Sequence, residues 1–255
     1  MNAAPQHRRP AAVLEAAGLG KRFGGADVLQ GIDLAVKDGE VLAIVGPSGC
    51  GKSTLLNMLS GLMEADAGTL RVLGQPSAQF GGWRAIAYMF QEDRLLPWRS
   101  VIDNVALGLE AQGAPRAERH QRAHDALRLV GLPDAAQAWP HELSGGMRSR
   151  VALARSLAVR PSVLLMDEPF SKLDPHTRTQ MHGELLRIHA ESGTTIVFVT
   201  HDMEEAVVLA DRIVRLVPRP GRVAEAVDLH DLPRPRDPLS PVVAERVRAL
   251  RSRMH

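Results

Sequence analysis

The sequence predicts an α/β protein with a mainly parallel core sheet. Short apolar runs typical of buried strands occur at residues 41–45, 163–166 and 195–199. Segments with helical periodicity follow these runs, and strands that alternate with helices favour parallel pairing. A long helical stretch, residues 100–158, interrupts the alternation. We therefore expect a helical subdomain inserted between two strands of the sheet.

The composition is that of an ordinary globular protein. The chain has 255 residues, 45% hydrophobic and 24% charged, enough for one large domain with a full core. Its single cysteine, Cys50, excludes an internal disulfide and a cysteine metal cluster. No apolar run approaches the ~18 residues of a membrane-spanning helix. The first residues make a poor signal peptide because Glu15 interrupts the apolar stretch, so we expect a cytoplasmic protein.

The elements follow in chain order from periodicity and from glycine and proline positions. Residues 13–36 predict short strands separated by glycines. Strand 41–45 precedes a helix at residues 52–59, and further strands are expected at residues 69–73 and 85–90.

The helical stretch and the second half of the chain have clear patterns. Ala123, Ala126, Leu127 and Val130 have the i, i+3, i+4, i+7 spacing of an amphipathic helix. Beyond them we expect strand 163–166, helix 174–192, strand 195–199, helix 203–210 and strand 212–217.

A glycine-rich segment after strand 41–45 fits the phosphate-binding pattern G-x-x-x-x-G-K-[ST]. The candidate nucleotide-binding residues are Gly46, Pro47, Ser48, Gly49, Cys50, Gly51, Lys52, Ser53 and Thr54. Glycines let the backbone turn its N–H groups toward an anion, and Lys52 can reach the β- and γ-phosphates. The dipole of the following helix also favours phosphate. The segment predicts binding of a nucleoside triphosphate, against the alternative of a chance glycine-rich turn.

Polar side chains lie where three predicted strands end: Gln91, the pair Asp167 and Glu168, and His201. Ligands of open α/β sheets bind outside the carboxyl ends of the strands, so we expect these groups to converge on one nucleotide. Ser53, Asp167 and Gln91 are candidate Mg²⁺ ligands because hard cations prefer oxygen. Glu168, His201 and Gln91 are candidate catalytic residues that orient or deprotonate water and stabilise charge. An acidic turn and a structural histidine are the alternatives.

A second candidate anion cradle opens a helix after Pro140. It consists of Ser144, Gly145 and Gly146, whose N–H groups lie at the expected helix N-terminus, without a lysine. Two cradles far apart in one chain raise the question of what the second one binds.

With these motifs in order, the chain resembles the ATP-binding subunits of ABC transporters. Phe23 fits the family's adenine-stacking aromatic, and Ser171, Lys172 and Asp174 fit its D-loop. The resemblance implies a P-loop NTPase fold with an N-terminal antiparallel β lobe, ATP and Mg²⁺ as ligands, and ATP hydrolysis. It also implies a head-to-tail homodimer, in which each ATP lies between one chain's phosphate loop and the partner's second cradle.

The segment Leu95, Leu96, Pro97 and Trp98 resembles the nitrate/sulfonate/taurine importer branch, and aliphatic-sulfonate import is most similar. In the family this region faces the permease, so these residues are candidate permease contacts. A buried hinge is the alternative, and both can hold. The implied partners are two transmembrane permease subunits and a periplasmic or surface substrate-binding protein, with no nucleic acid. The implied location is peripheral, at the cytoplasmic face of the bacterial inner membrane.

The predicted domain organisation has three parts. They are a flexible arm (1–11), a single ATPase domain (12–230) and a basic tail helix (231–255). Within the ATPase domain, residues 12–92 and 159–230 form the core and β lobe, and residues 93–158 form the helical and signature subdomain. We interpret the arginine-rich tail as a solvated helix; contact with an anionic membrane or nucleic acid is the alternative.

Three positions depart from the importer branch: Ser149 replaces glutamine, Lys172 replaces alanine and Phe23 replaces tyrosine. Alternative functions stay open. They are import of taurine, nitrate or a thiamin precursor, an exporter ATPase, a nucleic-acid ATPase of the same superfamily, and a small-molecule P-loop kinase. The sequence of this chain does not identify the transported compound.

Overall fold

A computed structural model describes residues 12–253. The expected flexible arm, residues 1–11, lies outside the described residues. The strands are Ala12–Phe23 (β1), Ala26–Lys37 (β2), Val41–Val45 (β3), Ala67–Val72 (β4), Gln75–Pro76 (β5), Ile86–Met89 (β6), Val163–Asp167 (β7), Thr195–Thr200 (β8), Arg212–Val217 (β9) and Arg222–Asp228 (β10). The helices are Lys52–Leu59 (α1), Val101–Val105 (α2), Leu107–Ala111 (α3), Arg116–Leu129 (α4), Gly145–Ala158 (α5), Pro175–Ser192 (α6), Met203–Leu209 (α7) and Pro241–Arg251 (α8).

The larger sheet has six strands in the order β10-β9-β3-β8-β7-β6. Its neighbouring strands are parallel except for β9 and β10, which confirms the predicted α/β core. Val45 at the end of β3 lies opposite Thr200, and Asp167 at the end of β7 lies opposite Val199. The carboxyl ends of three strands therefore share one edge, the arrangement that a nucleotide site at this edge requires.

The central strands are buried on both faces, which explains their unbroken apolar sequences. Along β3, Val41, Ala43 and Val45 belong to the hydrophobic cluster that includes α7 and the helical insert, whereas Leu42 and Ile44 belong to the cluster that includes the N-terminal strands. All five side chains are fully buried. One hydrophobic cluster therefore packs on each face of the sheet, and the sheet fixes where the loops at its edge begin.

The N-terminal sheet is antiparallel, in the order β2-β1-β4-β5. The expectation of short strands at residues 13–36 was wrong, because β1 and β2 are continuous strands of twelve residues. The pairing of β1 instead shifts register between Ala16 and Lys21, around Gly18. Gly18 has φ +62°, so the backbone forms an irregularity that bends the strand without ending it.

The helical insert runs from α2 to α5, between β6 and β7. Ala123, Ala126 and Leu127 are buried along α4, and Val130 is buried just after it. The apolar stripe packs α4 against α2 and α5. Among residues 12–253, no helix combines the length and apolarity needed to cross a membrane.

The C-terminal segment is not the solvated tail helix that we expected. Helix α8 packs on α7 and buries Val243, Val247 and Leu250. Upstream of it, Arg236 is 6% exposed, and its guanidinium donates to the carbonyl oxygen of Val207, among others. Three further arginines pair with acids: Arg246 with Asp231, Arg251 with Asp202, and Arg253 with Glu225. The arginine-rich composition therefore serves packing and local pairing, which sequence periodicity does not reveal.

Candidate active site

The phosphate loop between β3 and α1 is shaped by close backbone contacts. A Cβ atom at Gly46 would lie 2.7 Å from the Leu216 carbonyl oxygen, and one at Gly51 would lie 2.6 Å from the Leu29 side chain. Gly51 also has φ +96°, a conformation that residues with a side chain rarely adopt. Only glycine fits these two positions, so the glycines of the motif determine the course of the loop.

Lys52 is the first residue of α1, and its side chain folds back over the loop. Its Nζ atom donates to the carbonyl oxygens of Gly46, at 2.8 Å, and Pro47, at 3.1 Å. The first turn of α1 contains no acidic residue. The ammonium group and the free N–H groups of the helix therefore create a positive potential where phosphate is expected.

Asp167 at the end of β7 lies beside the start of α1. Ser53 Oγ donates to Asp167 Oδ1 at 3.1 Å, and the Tyr88 hydroxyl donates to Oδ2 at 3.4 Å. Burial raises the pKa of Asp167, the Ser53 hydrogen bond opposes this rise, and the charge of Glu168 adds to it. Sequence reasoning missed Tyr88. A lone hydroxyl in an apolar strand three residues before Gln91 is the signal that could have found it.

Ser53 and Asp167 form a donor set that suits Mg²⁺. This ion binds one or two protein carboxylates and completes its shell with water and substrate phosphates. Within the described part of the chain, no group of three or more His, Cys, Asp and Glu residues could hold a metal ion. Gln91 directs its amide nitrogen to Glu168, so its role as a metal ligand stays a prediction.

The three predicted catalytic side chains lie together. Gln91 Nε2 donates to Glu168 Oε2 at 3.0 Å, and His201 Nδ1 lies 3.3 Å from Glu168 Oε1. Glu168 has φ +45°, a strained conformation for a residue with a side chain. Its N–H donates to the Val199 carbonyl oxygen at 3.0 Å, and its own carbonyl oxygen accepts from Ser171 Oγ at 3.0 Å. These bonds hold the turn that places the carboxylate between the glutamine and the histidine.

The second cradle lies at the start of α5. Ser144 caps this helix by accepting the Met147 N–H at 3.2 Å, and the Ser144 residue is exposed. A Cβ atom at Gly146 would lie 3.3 Å from Thr177 and 3.8 Å from Leu173. The cradle therefore adjoins the start of α6, and it opens toward solvent where a second molecule can approach.

The D-loop connects the Glu168 turn to α6. Asp174 Oδ1 accepts the Thr177 N–H at 3.0 Å, and this hydrogen bonding lowers the pKa of Asp174. Helix capping explains why an aspartate stands there. Lys172 is exposed, so the structure leaves it available to a partner.

Phe23 lies at the end of β1 beside the turn to β2. The residue is 47% exposed, and Lys21 Nζ lies 5.7 Å from the centroid of its ring. The same hairpin is held to the phosphate loop through Leu29, which contacts the position of Gly51. An exposed aromatic on an anchored hairpin suits adenine stacking, which stays a prediction.

The predicted permease segment, residues 95–98, has a buried residue at one end and an exposed one at the other. Leu95 is buried in the helical insert, whereas Trp98 is 70% exposed. Buried Asn104 fixes the turn between them: its Oδ1 accepts the Leu96 N–H at 2.7 Å, and its Nδ2 donates to the Leu96 carbonyl oxygen at 3.1 Å. The segment is thus a turn that is fixed to the helical insert and carries an exposed indole. The sequence motifs did not indicate Asn104.

Two arginines of α5 bind the chain just before this turn. Arg148 Nε donates to Asp93 Oδ2 at 3.0 Å, and its Nη1 donates to the Leu143 carbonyl oxygen at 2.9 Å. Arg155 donates to the carbonyl oxygens of Asp93, at 2.6 Å, and Arg94, at 2.8 Å. The loop after Gln91 and the residue before Ser144 are therefore held by the same helix.

Comparison with known proteins gives the family. A profile described as ABC transporter matches residues 29–171, more than half of the chain. The chain belongs to the ABC transporter family. It is an ATPase, as the ATP-binding proteins of this family are.

Individual relatives of this ABC ATPase are similar over most of their length. It is 48% identical over 199 residues to a taurine import ATP-binding protein of Chromobacterium violaceum, covering 78% of this chain and 76% of the relative. It is 48% identical over 219 residues to an aliphatic sulfonates import ATP-binding protein of Xanthomonas axonopodis, covering 86% of each. Among solved structures, a dimeric ATP-binding cassette in a post-hydrolysis state, bound to ADP and Pi, has a TM-score of 0.77. That cassette is 31% identical, and the match covers 85% of this chain and 99% of the other.

Proposed function

We propose that this ABC ATPase is the energy-coupling subunit of an importer for aliphatic sulfonates. The observation that carries the enzymatic part is the grouping of Gln91, Glu168 and His201 beside the Ser53–Asp167 pair. This grouping supports the proposal because a carboxylate, an imidazole and two oxygen groups that suit Mg²⁺ lie together at the edge of the sheet where the phosphate loop begins.

The residues have separate tasks in hydrolysis. The loop N–H groups and Lys52 bind the β- and γ-phosphates, and Ser53 with Asp167 would hold Mg²⁺. When bound, Mg²⁺ supplies charge neutralisation at the phosphate oxygens. Glu168 accepts the proton of the attacking water, and His201 stabilises charge at the γ-phosphate.

The exposed second cradle supports a head-to-tail dimer. A helix N-terminus with Ser144 and two glycines suits a phosphate group of a nucleotide bound to another copy. A dimeric cassette is among the similar solved structures. ATP would then join two copies, and hydrolysis would let them separate.

Lys172 tests this arrangement because it is a cation in the D-loop. We expect Lys172→Ala to weaken ATP-driven dimerisation several-fold and to leave the nucleotide affinity of the monomer nearly unchanged. The physical reason is that two ATP molecules leave a closed site net negative, so a nearby exposed cation gives a modest, screened attraction. Sedimentation of the Glu168→Gln variant with and without Lys172→Ala measures the effect. Tighter dimers without the lysine would show that the two D-loop cations repel each other.

The proposed partners are inferred from the turn at residues 95–98. Trp98 is a large exposed aromatic on a turn fixed by Asn104, which suits a permanent contact with another protein. We assign it to the permease, which places the ATPase peripherally at the cytoplasmic face of the inner membrane. A substrate-binding protein outside that membrane would deliver the cargo to the two permease subunits.

The cargo assignment is supported by the named relatives. The aliphatic-sulfonate relative aligns over 219 residues and the Chromobacterium taurine relative over 199, both at 48% identity. Both relatives are named for import of a sulfonate compound, which supports the proposal. Taurine, itself an aliphatic sulfonate, is the second candidate because several taurine import proteins match at 43–48% identity.

Deleting the gene should prevent growth on an alkanesulfonate as sole sulfur source and spare growth on sulfate. The reason is that the permease cannot cycle without its ATPase, whereas sulfate uses another uptake system. Complementation with the wild-type gene should restore growth, and complementation with Glu168→Gln should not. Loss of growth on taurine alone would assign the second candidate, and loss on nitrate would contradict sulfonate import.

A further inference from the structure

A buried carboxyl group lies behind the His201 loop and has no task in the mechanism above. Glu205, in the first turn of α7, is 4% exposed. Its Oε2 accepts a hydrogen bond from Thr200 Oγ1 at 2.9 Å. Its Oε1 is buried and has no hydrogen-bond partner among the described residues. A buried oxygen without a partner is costly for a carboxylate and much less so for a neutral acid.

Glu205 is linked to both ends of the His201 loop. Thr200, which precedes His201, donates to the carboxyl group and also accepts the Asp202 N–H at 3.0 Å. His201 therefore lies between Thr200 and Asp202, and the Thr200 hydroxyl connects these two residues by a hydrogen bond. The carboxyl group determines how that hydroxyl is directed.

The charges around Glu205 favour its neutral form. Burial is the main cause that raises its pKa, to about 8, and the charges of Asp202 and Glu168 add to the rise. The hydrogen bond from Thr200 and the charge of Arg178, on α6, oppose it. Arg178, however, is already bonded to Asp202 at 3.4 Å and to the Leu173 carbonyl oxygen at 3.2 Å.

Among the described residues, two further arginines lie near α7, and both bond to acceptors other than the Glu205 carboxyl group. Arg251 of α8 lies on Asp202, at 3.7 Å, and Arg236 donates to the Val207 carbonyl oxygen at 2.7 Å. The residues of β3 are apolar. Among the described residues, the carboxyl group therefore has one hydrogen-bond donor, the Thr200 hydroxyl, and no direct ion pair.

We propose that Glu205 is a positioning residue for His201: its buried carboxyl group accepts the hydrogen bond that holds the Thr200–Asp202 loop, and ionisation displaces that loop by charge repulsion although the Thr200 bond remains. The proposal rests on the proposed role of His201 in hydrolysis. Ionisation would place a buried negative charge near Asp202 and Glu168. The repulsion would move the loop, and with it the histidine, away from the nucleotide. ATP turnover should therefore fall at alkaline pH.

The test compares the pH dependence of ATP turnover for the full-length wild type, Glu205→Gln and Glu204→Gln. Glutamine keeps the shape and acceptor oxygen of the neutral acid, and exposed Glu204 is the matched control in the same helix turn. Between pH 7 and 9 the neutral fraction of a group with a pKa of about 8 falls about tenfold. We expect the ratio of Glu205→Gln to wild-type turnover to rise by up to that factor, and the Glu204→Gln ratio to stay constant. A constant Glu205→Gln ratio would overturn the proposal.

Thermal unfolding gives a second readout. The folded pKa of about 8 lies above the model-compound value of 4.5, so the folded state keeps a proton that the unfolded state loses between these values. Wild-type stability therefore falls as pH rises through this window, and the fall ends above the folded pKa. The melting temperature of Glu205→Gln relative to wild type should rise from pH 5 to 8, with no such trend for Glu204→Gln.

A measurement on the wild-type protein covers the case in which Glu205→Gln does not fold. Carboxyl carbon NMR should show one glutamate that titrates near pH 8; if all glutamates titrate near their ordinary pKa, the proposal is wrong. His201→Ala separates this proposal from the proposed mechanism. Unchanged turnover in His201→Ala would refute the role of the histidine. A strong loss in His201→Ala with a constant Glu205→Gln ratio would refute only the role of Glu205.

Discussion

Glu168→Gln is expected to lower ATP turnover by about 10²- to 10⁴-fold, the usual contribution of a positioned general base. The amide keeps the shape of the side chain and can still bond Gln91 and His201, but it cannot accept a proton. ATP affinity should stay near the wild-type value because the phosphate loop and Lys52 are untouched. Steady-state turnover and calorimetric ATP titration measure the two quantities.

The same variant should accumulate ATP-bound dimers, visible as an earlier gel-filtration peak, since the step that separates the copies no longer occurs. Glu92→Gln is the matched control, because this exposed glutamate lies one residue after Gln91. It should turn over ATP at the wild-type rate. Wild-type turnover by Glu168→Gln itself would mean that another group accepts the proton.

Lys52→Ala is expected to abolish measurable nucleotide binding. Hydrogen bonds to charged groups contribute about 1.5–3 kcal/mol each, so losing the ammonium contacts to two phosphates should reduce affinity at least ~10²-fold. The apolar stub would also leave the Gly46 and Pro47 carbonyl oxygens without their donor. Calorimetry with ATP and Mg²⁺ measures the loss.

Lys37→Ala provides the control for the charge itself, since Lys37 is an exposed lysine at the end of β2. It should bind ATP like the wild type. If Lys52→Ala kept its affinity while remaining folded by circular dichroism, the glycine-rich loop would not be the nucleotide site.

The sequence predicted those parts of the site that are local or that lie at strand ends. The phosphate loop is a contiguous motif, so its glycines and Lys52 could be found without knowledge of the fold. Gln91, Glu168 and His201 follow apolar strands, and parallel strands end at a common edge. The structure brings these three side chains within hydrogen-bonding or ion-pair distance.

What the sequence could not reveal depends on partners distant along the chain. The bonds from Arg155 to the Asp93 carbonyl and from Arg236 to that of Val207 involve backbone acceptors, which no side-chain pattern marks. Glu205 looks like an ordinary helix-start acid until its burial is known. Gly18 was misread because a glycine at positive φ can end a strand or merely bend it, and only the pairing partner decides which.

The hold of α5 on the loop after Gln91 has a mechanical consequence. Two of its three bonds to this loop end on backbone carbonyl oxygens, so substitutions of the side chains at these two acceptor positions leave those bonds intact. Trp98 does not lie on a loosely held loop. Its turn is hydrogen-bonded to Asn104, and the chain before the turn is hydrogen-bonded to Arg148 and Arg155. The exposed indole and the second cradle, which begins at Ser144, are therefore connected through α5. We expect a displacement of the indole to reach the cradle through this helix.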